Sequence, residues 1–187
     1  MQGKNHLALA LLGAMTVANP GNDVTSWVAF GLGSLAPDID GHGAITHPGA
    51  FMPRIVPGFI RGLADMLGHV ISDGVQSVFG HRGAFHYPIW YAAMIVAGQA
   101  LGLSWLAWLG AGCLVHLAGD IITKSGIPLF GPLSARDVAL PPRIKTGSLG
   151  ESIIGLAMWG VIAWQGYDLV KDLPAARQAL SMIFHLF

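Results

Sequence analysis

Between Arg82 and Asp120 the chain contains no Asp, Glu, Lys or Arg, and this interval constrains the fold more than any other feature. It is long enough for two apolar helices joined by a turn, since one membrane-crossing helix takes about 20 apolar residues. Polar residues with metal-binding or proton-transfer chemistry cluster at its two ends, at His81, Arg82, His86, His116, Asp120 and Thr123. An apolar hairpin needs none of them, so their placement indicates a chemical role.

The composition indicates a membrane protein with one domain. Hydrophobic residues make up 53% of the chain and charged residues only 11%, whereas soluble domains average about 25% charged residues. The length of 187 residues favours a single domain, residues 1–187. Ten basic residues are balanced by ten acidic ones, so no overall positive charge is available to hold nucleic acid. Cys113 is the only cysteine, which excludes a disulfide framework and a thiolate metal site.

Five apolar segments are predicted to form helices, and together they predict an all-α, polytopic membrane bundle of four or five spans. They cover residues 5–20, 24–37, 88–101, 105–122 and 149–167. The first two are short for a full span, so they tilt, thin the bilayer or pack inside the bundle. The first is predicted to be a span and not a signal peptide. Lys4 alone makes a weak positively charged n-region, and further spans follow.

Residues 41–80 are predicted to form a loop followed by an amphipathic helix, and residues 168–187 a C-terminal tail. Gly and Pro punctuate positions 41–58, as is typical of a loop. From position 59 apolar residues recur at helical spacing, at Ile60, Leu63, Leu67, Val70, Ile71, Val75 and Val78. This pattern fits a helix that lies in the membrane interface, or a helix that covers the bundle inside the protein.

The positions of the basic residues predict an orientation in the membrane. If the segments alternate, the N-terminus, the 41–86 loop and the 123–148 loop share one side with eight of the ten basic residues. The positive-inside rule assigns this side to the cytoplasm. The same side collects the polar residues at the segment ends, so the candidate site is predicted to face the cytoplasm.

His116, Asp120 and Thr123 are spaced i, i+4 and i+7, so they lie on one face of the fourth predicted helix. A His and an Asp one turn apart share a metal ion, or act as a ligand and its supporting hydrogen-bond partner. The alternative is a buried His–Asp hydrogen bond that only locks two helices together. Ionisable residues within a membrane segment are costly, which favours a functional role.

Two more polar groups lie on the same predicted side of the membrane. Asp38 and Asp40 follow a helix end, where their carboxylates either face a cation or belong to an ordinary turn. His81 and His86 open the third helix beside Arg82. The Arg82 guanidinium either clamps a phosphate or carboxylate or anchors the helix at the lipid headgroups.

His6 and Glu151 complete the candidate set. His6 begins the first helix on the same side and is a further candidate metal ligand. Glu151 begins the fifth helix, where it orients a ligand, acts as a general base or caps the helix N-terminus.

In their order along the chain these motifs resemble a bacterial family, the LexA-regulated, membrane-bound metal-dependent hydrolases of the YdjM type. The resemblance rests on His6, residues 37–40, residues 80–83, His86, residues 116–123, residues 125–129, residues 131–133 and Glu151. It implies a multi-pass inner-membrane protein and a divalent-metal hydrolase. The chain departs from the family around His86, where Phe85 and Tyr87 replace the usual Thr and Ser, and at Lys124, where the family often has Pro.

The leading hypothesis is therefore a membrane hydrolase that uses one or two divalent ions. The predicted metal ligands are His6, Asp38, Asp40, His81, His86, His116 and Asp120. Without a thiolate this set suits zinc, then manganese or iron, better than an all-oxygen magnesium or calcium site. The metal activates water and polarises a phosphoryl or carbonyl oxygen, Arg82 holds an anionic group, and Glu151 and Thr123 are further catalytic candidates. The membrane setting favours a lipid or lipid-linked phosphoester as substrate and membrane lipids as partners.

Two other functions compete with the hydrolase. One is a non-enzymatic, metal- or proton-linked membrane carrier whose His/Asp cluster is its binding site, and the other is a structural bundle held by buried His–Asp pairs. Convergence of five or six of the candidate side chains on one accessible point favours the hydrolase. A sealed cluster on broken helices favours transport, and scattered pairs favour structure. The number of metal ions and the oligomeric state stay open.

Overall fold

The computed structural model describes residues 1–18, 20–21, 23–40, 48–79 and 83–170, and the chain is all-α over these residues. Six helices have ten or more residues: α1 (Gly3–Gly13), α2 (Val24–Gly33), α3 (Gly58–Phe79), α4 (Pro88–Ala100), α5 (Ser104–Ile121) and α6 (Leu149–Val170). The described residues contain no β-strand, only two isolated bridges, which join Thr123 to Ile144 and Ile127 to Val138. The predicted helical fold is therefore confirmed.

Local sequence signals explain where these helices begin and end. The Asp23 carboxylate accepts hydrogen bonds from the backbone N–H groups of Thr25 and Ser26 and so begins α2. Pro88 occupies the first turn of α4, where its missing N–H costs nothing. Gly102, with a φ of +68°, follows the end of the same helix.

Among the described residues four short helical elements lie between the longer helices, and one of them is the four-residue helix Pro48–Phe51 before α3. A π-helical turn, Ala14–Ala18, continues α1. A 3-10 turn, Ala36–Asp40, follows α2, and a second one, Ala84–His86, precedes α4. Within the described ranges no helix combines the length and the apolarity needed to cross a membrane. The four or five spans stay a prediction.

Helix α5 lies at the centre of the fold. It forms a hairpin with α4, crosses α2 and also contacts α1, which in turn packs on α6. Glycines from both partners make the α2–α5 crossing close: a Cβ on Gly112 would lie 2.1 Å from the carbonyl oxygen of Phe30, and one on Gly33 would lie 2.1 Å from that of Leu109. Only glycine allows two helix backbones to approach so closely.

Helix α3 presents its apolar side chains outward. Phe59, Val70 and Val78 are 76%, 64% and 72% exposed, whereas the polar Ser72 is fully buried. The other side of the helix packs on the Ala36–Asp40 turn, and Asp65 Oδ1 accepts a hydrogen bond from the Gly49 N–H at 2.7 Å. Helix α3 therefore turns its polar face towards the candidate site and its apolar face away from the described chain.

Candidate metal centre

Five of the predicted site residues converge from four parts of the fold. His116 and Asp120 lie one turn apart on α5, and His6 lies on α1. Asp38 comes from the turn after α2, and His86 from the turn before α4. The three imidazoles and Asp120 are fully buried, while the Asp38 side chain is 19% exposed. Asp38 therefore marks the side from which the cluster is reached.

Four of these side chains have the spacing of ligands around one cation. Asp38, His86, His116 and Asp120 each offer one ligand atom, and these atoms lie within 4.8 Å of one another. His116 Nε2 is 3.5 Å from Asp38 Oδ1 and 3.6 Å from Asp120 Oδ2, and His86 Nε2 is 3.7 Å from Asp120 Oδ2. These separations are long for hydrogen bonds. They match the spacing of about 3.4 Å between ligand atoms that each lie about 2.1 Å from a tetrahedral zinc ion.

The His116 ring is held in the orientation that a metal ligand needs. Its Nδ1 lies 2.8 Å from the carbonyl oxygen of Ser34, at the end of α2. A carbonyl only accepts, so Nδ1 carries a proton and donates, which leaves Nε2 as the ring position that faces the two carboxylates. Nε2 has no hydrogen-bond partner within the described residues. Two carboxylates around a buried ring nitrogen require positive charge between them, which either a proton on Nε2 or a bound cation supplies.

The electrostatics of Asp38 also favour a cation. Burial alone would raise the pKa of this carboxyl, but the neighbouring His116 ring, which lies 3.5 Å away, brings the pKa below its ordinary value. Asp38 is therefore ionised at neutral pH. A partly buried carboxylate of this kind is stabilised by positive charge beside it, which a cation in the cluster would supply.

His6 adds a third imidazole to the cluster. Its ring stacks on that of His116, with 3.6 Å between the ring centroids and 10° between the planes. Gly119 leaves the room for it, because a Cβ there would lie 3.1 Å from His6 Nδ1. Sequence reasoning missed Gly119 and also Ser34, whose contribution is a backbone carbonyl that no residue type signals.

The remaining predicted site residues lie elsewhere or outside the described chain. Thr123 Oγ1 donates to the Asp120 carbonyl oxygen at 2.7 Å, at the end of α5. His81 and Arg82 lie outside the described residues, as does the side chain of Asp40. Their predicted roles, and the catalytic role of Thr123, stay predictions.

Glu151 joins the start of α1 to the start of α6. One carboxylate oxygen accepts hydrogen bonds from the Gln2 N–H and from Asn5 Nδ2, and the other accepts from the Gly147 N–H at 2.6 Å. Asn5 directly precedes His6, so this arrangement holds the helix turn that carries His6. The sequence offered one signal for the role of Asn5, because it is a polar residue next to His6 in an otherwise apolar segment. The predicted catalytic role of Glu151 is not tested by these contacts.

Replacing Glu151 by glutamine is expected to destabilise the fold by about 1–3 kcal/mol, because the new amide group would face the Gly147 N–H donor. Thermal unfolding followed by circular dichroism in one detergent measures the change. Asp137, an exposed carboxyl in the loop before α6, supplies the control Asp137→Asn, for which less than about 0.5 kcal/mol is expected. Equal unfolding temperatures for the two variants would contradict the structural role of Glu151.

Comparison with known proteins gives one match. The family model described as YdjM inner membrane protein matches residues 1–187. No curated protein and no solved structure matches the chain. The matched region includes α1, α5 and both 3-10 turns, and therefore every residue of the cluster.

Proposed function

We propose that this chain, which belongs to the YdjM family of inner membrane proteins, is a hydrolase whose divalent metal ion is bound by Asp38, His86, His116 and Asp120. The observation that carries the proposal is the convergence of these four side chains, with ligand atoms within 4.8 Å of one another. Two imidazoles and two carboxylates suit zinc best, then manganese or iron. A bound divalent ion would supply Lewis-acid polarisation of the substrate and a water molecule of lowered pKa.

In this proposal each residue around the metal position has its own role. The Ser34 carbonyl keeps the proton of His116 on Nδ1, so that Nε2 is available as a ligand. Asp38 is the partly exposed member of the cluster, so among the four ligands it would lie nearest to incoming water and substrate. The buried side chains of His86 and Asp120 exclude bulk water from the other sides.

A lipid or lipid-linked phosphoester is the proposed substrate class. The support is the position of α3, which packs on the turn that carries Asp38 and exposes Phe59 and Val70 on its outer face. An apolar outer face on the helix that packs against the Asp38 turn would hold this part of the protein at a membrane surface, where an amphiphilic substrate is presented. Arg82 is proposed to hold the anionic group of this substrate.

The membrane arrangement is part of the same proposal. With α3 in the interface, a multi-pass topology would have the site facing the cytoplasm, in agreement with the eight basic residues predicted on that side. The cluster favours the hydrolase over its rivals because five side chains meet at one place, not as scattered pairs. His116 and Asp120 also lie on one continuous helix, and Asp38 leaves the cluster open at one edge.

Removal of the metal is expected to abolish hydrolysis. Protein purified in mild detergent should carry at least one equivalent of zinc, manganese or iron by elemental analysis. Its cleavage of an aryl phosphoester in mixed micelles should fall by about 100-fold or more after chelation. Activity should return when the metal is restored. Protein that contains no stoichiometric metal and binds none on titration would refute the proposal.

A further inference from the structure

We infer that Asp120 bridges two cation positions, and that the second position is formed by Asp120 Oδ1 and His6. This inference rests on the proposed function, because it assumes that the first position, at Asp120 Oδ2, binds a metal ion. The two oxygens of Asp120 face different partners. Oδ2 faces His86 and His116 at 3.7 and 3.6 Å, whereas Oδ1 faces His6 Nε2 at 3.3 Å.

The parallel stack of two imidazoles favours such a bridge. His6 and His116 lie face to face, 10° from parallel, and their Nε2 atoms approach different oxygens of the same carboxylate. The ions of two-metal sites lie about 3.5–4 Å apart, which is close to the spacing of these two rings. The two stacked rings supply that spacing.

The polar contact of the His6 ring within the described residues is with Asp120, whose Oδ1 lies 3.3 Å from Nε2. Its ring is fully buried, and neither ring nitrogen has a hydrogen-bond partner among the described residues. Burying an imidazole without partners is unfavourable. A cation beside Oδ1 would lie between His6 Nε2 and this oxygen and bind both, whereas a single cation at Oδ2 would leave the His6 ring out.

The Oδ1 side of Asp120 already accommodates positive charge. The α-amino group of Met1 contacts Oδ1 and forms an ion pair with it. A cation at this place is therefore compatible with the surrounding groups. In the metal-loaded protein we expect a divalent ion to take the place of this ammonium group.

Charge balance predicts that the second ion binds more weakly and together with an anion. The ionised carboxylates of Asp38 and Asp120 neutralise one divalent ion, and neutral imidazoles add no charge. A second divalent ion would leave the described cluster with a net positive charge, which is costly in a buried site. An oxyanion such as phosphate would offset this charge. Phosphate should therefore strengthen binding of the second ion, and by linkage the ion should strengthen phosphate binding.

The test is a titration of metal-free protein in detergent with Mn²⁺, with and without inorganic phosphate. Two equivalents are expected for the unchanged chain, the second bound about tenfold more tightly with phosphate. Electron paramagnetic resonance should show exchange coupling between the two Mn²⁺ ions, which two separate sites would not give. His6→Ala should keep one equivalent and lose both the second equivalent and the coupling.

The control variants separate a local effect from misfolding. His6→Gln keeps a polar side chain at the position, and His69→Gln removes a histidine of α3 that is not among the cluster residues. Both should unfold near the temperature of the unchanged chain, and only His6→Gln should lose the second equivalent. A single equivalent in the unchanged chain, with or without phosphate, would overturn the bridge and leave the proposed function standing. Retention of both equivalents by His6→Ala would also overturn it, whereas failure to bind any metal would remove both proposals.

Discussion

Asp120→Asn is expected to yield a folded protein with no bound metal, because Asp120 faces all three imidazoles of the described cluster. His116 and His86 lie at 3.6 and 3.7 Å from Oδ2, and His6 at 3.3 Å from Oδ1. Asparagine has the same shape but no charge. Its amide group donates a hydrogen bond to an imidazole lone pair and leaves a single oxygen for a cation. Metal affinity should fall by at least about 100-fold, and hydrolysis should be lost with it.

Elemental analysis of the purified variant and a Zn²⁺ titration measure this loss. Asp73→Asn is the matched control, because Asp73 is an exposed carboxylate on a helix of similar length. That variant should keep both metal and activity. A full complement of metal in Asp120→Asn would show that the four-residue cluster is not the metal centre.

Gly112→Leu is expected to destabilise the protein by about 3 kcal/mol or more, with loss of the metal centre as a consequence. A Cβ on Gly112 would lie 2.1 Å from the Phe30 carbonyl oxygen and 3.0 Å from the Ser34 nitrogen. These are backbone atoms, which cannot move aside as a side chain can by changing its rotamer, so α2 must move away from α5. The Ser34 carbonyl that orients His116, and the turn that carries Asp38, would move with α2.

Gly160→Leu is the matched control for this packing effect. Gly160 lies on α6, and a Cβ there would meet no atom within 4 Å. Leucine favours a helix more than glycine does, so this variant should be at least as stable as the unchanged chain. Loss of helical circular dichroism on heating, in one detergent for both proteins, compares them. Equal stability of the two variants would show that the α2–α5 crossing tolerates separation.

The helices were largely predictable because their signals are local. Apolar segments bounded by Pro, Gly and capping residues predicted α1, α2, α4, α5 and α6, and helical periodicity predicted α3. Each boundary depends on residues within a turn of it, such as Asp23 before α2. Such information is present in the sequence before any tertiary contact forms.

The membership of the metal cluster was partly predictable. His116 and Asp120 share a helix face by their spacing alone, and the topology placed His6, Asp38 and His86 near the same end. Their mutual distances were not predictable, because they depend on how closely α2 and α1 approach α5. The glycines at that crossing decide the approach, and a glycine in a sequence does not reveal its neighbour.

The sequence by itself determined which segments are helical and which chemically able residues stand at their ends, because periodicity, capping and spacing act within single elements. Only the tertiary structure decided that His6 stacks on His116, that the Ser34 carbonyl orients the His116 ring, and that Glu151 binds the start of α1. It also decided that α3 turns its apolar face outward. These contacts join residues far apart in the chain, and several involve backbone atoms that every residue type shares. Their geometry follows from packing of the whole fold, so no local pattern encodes it.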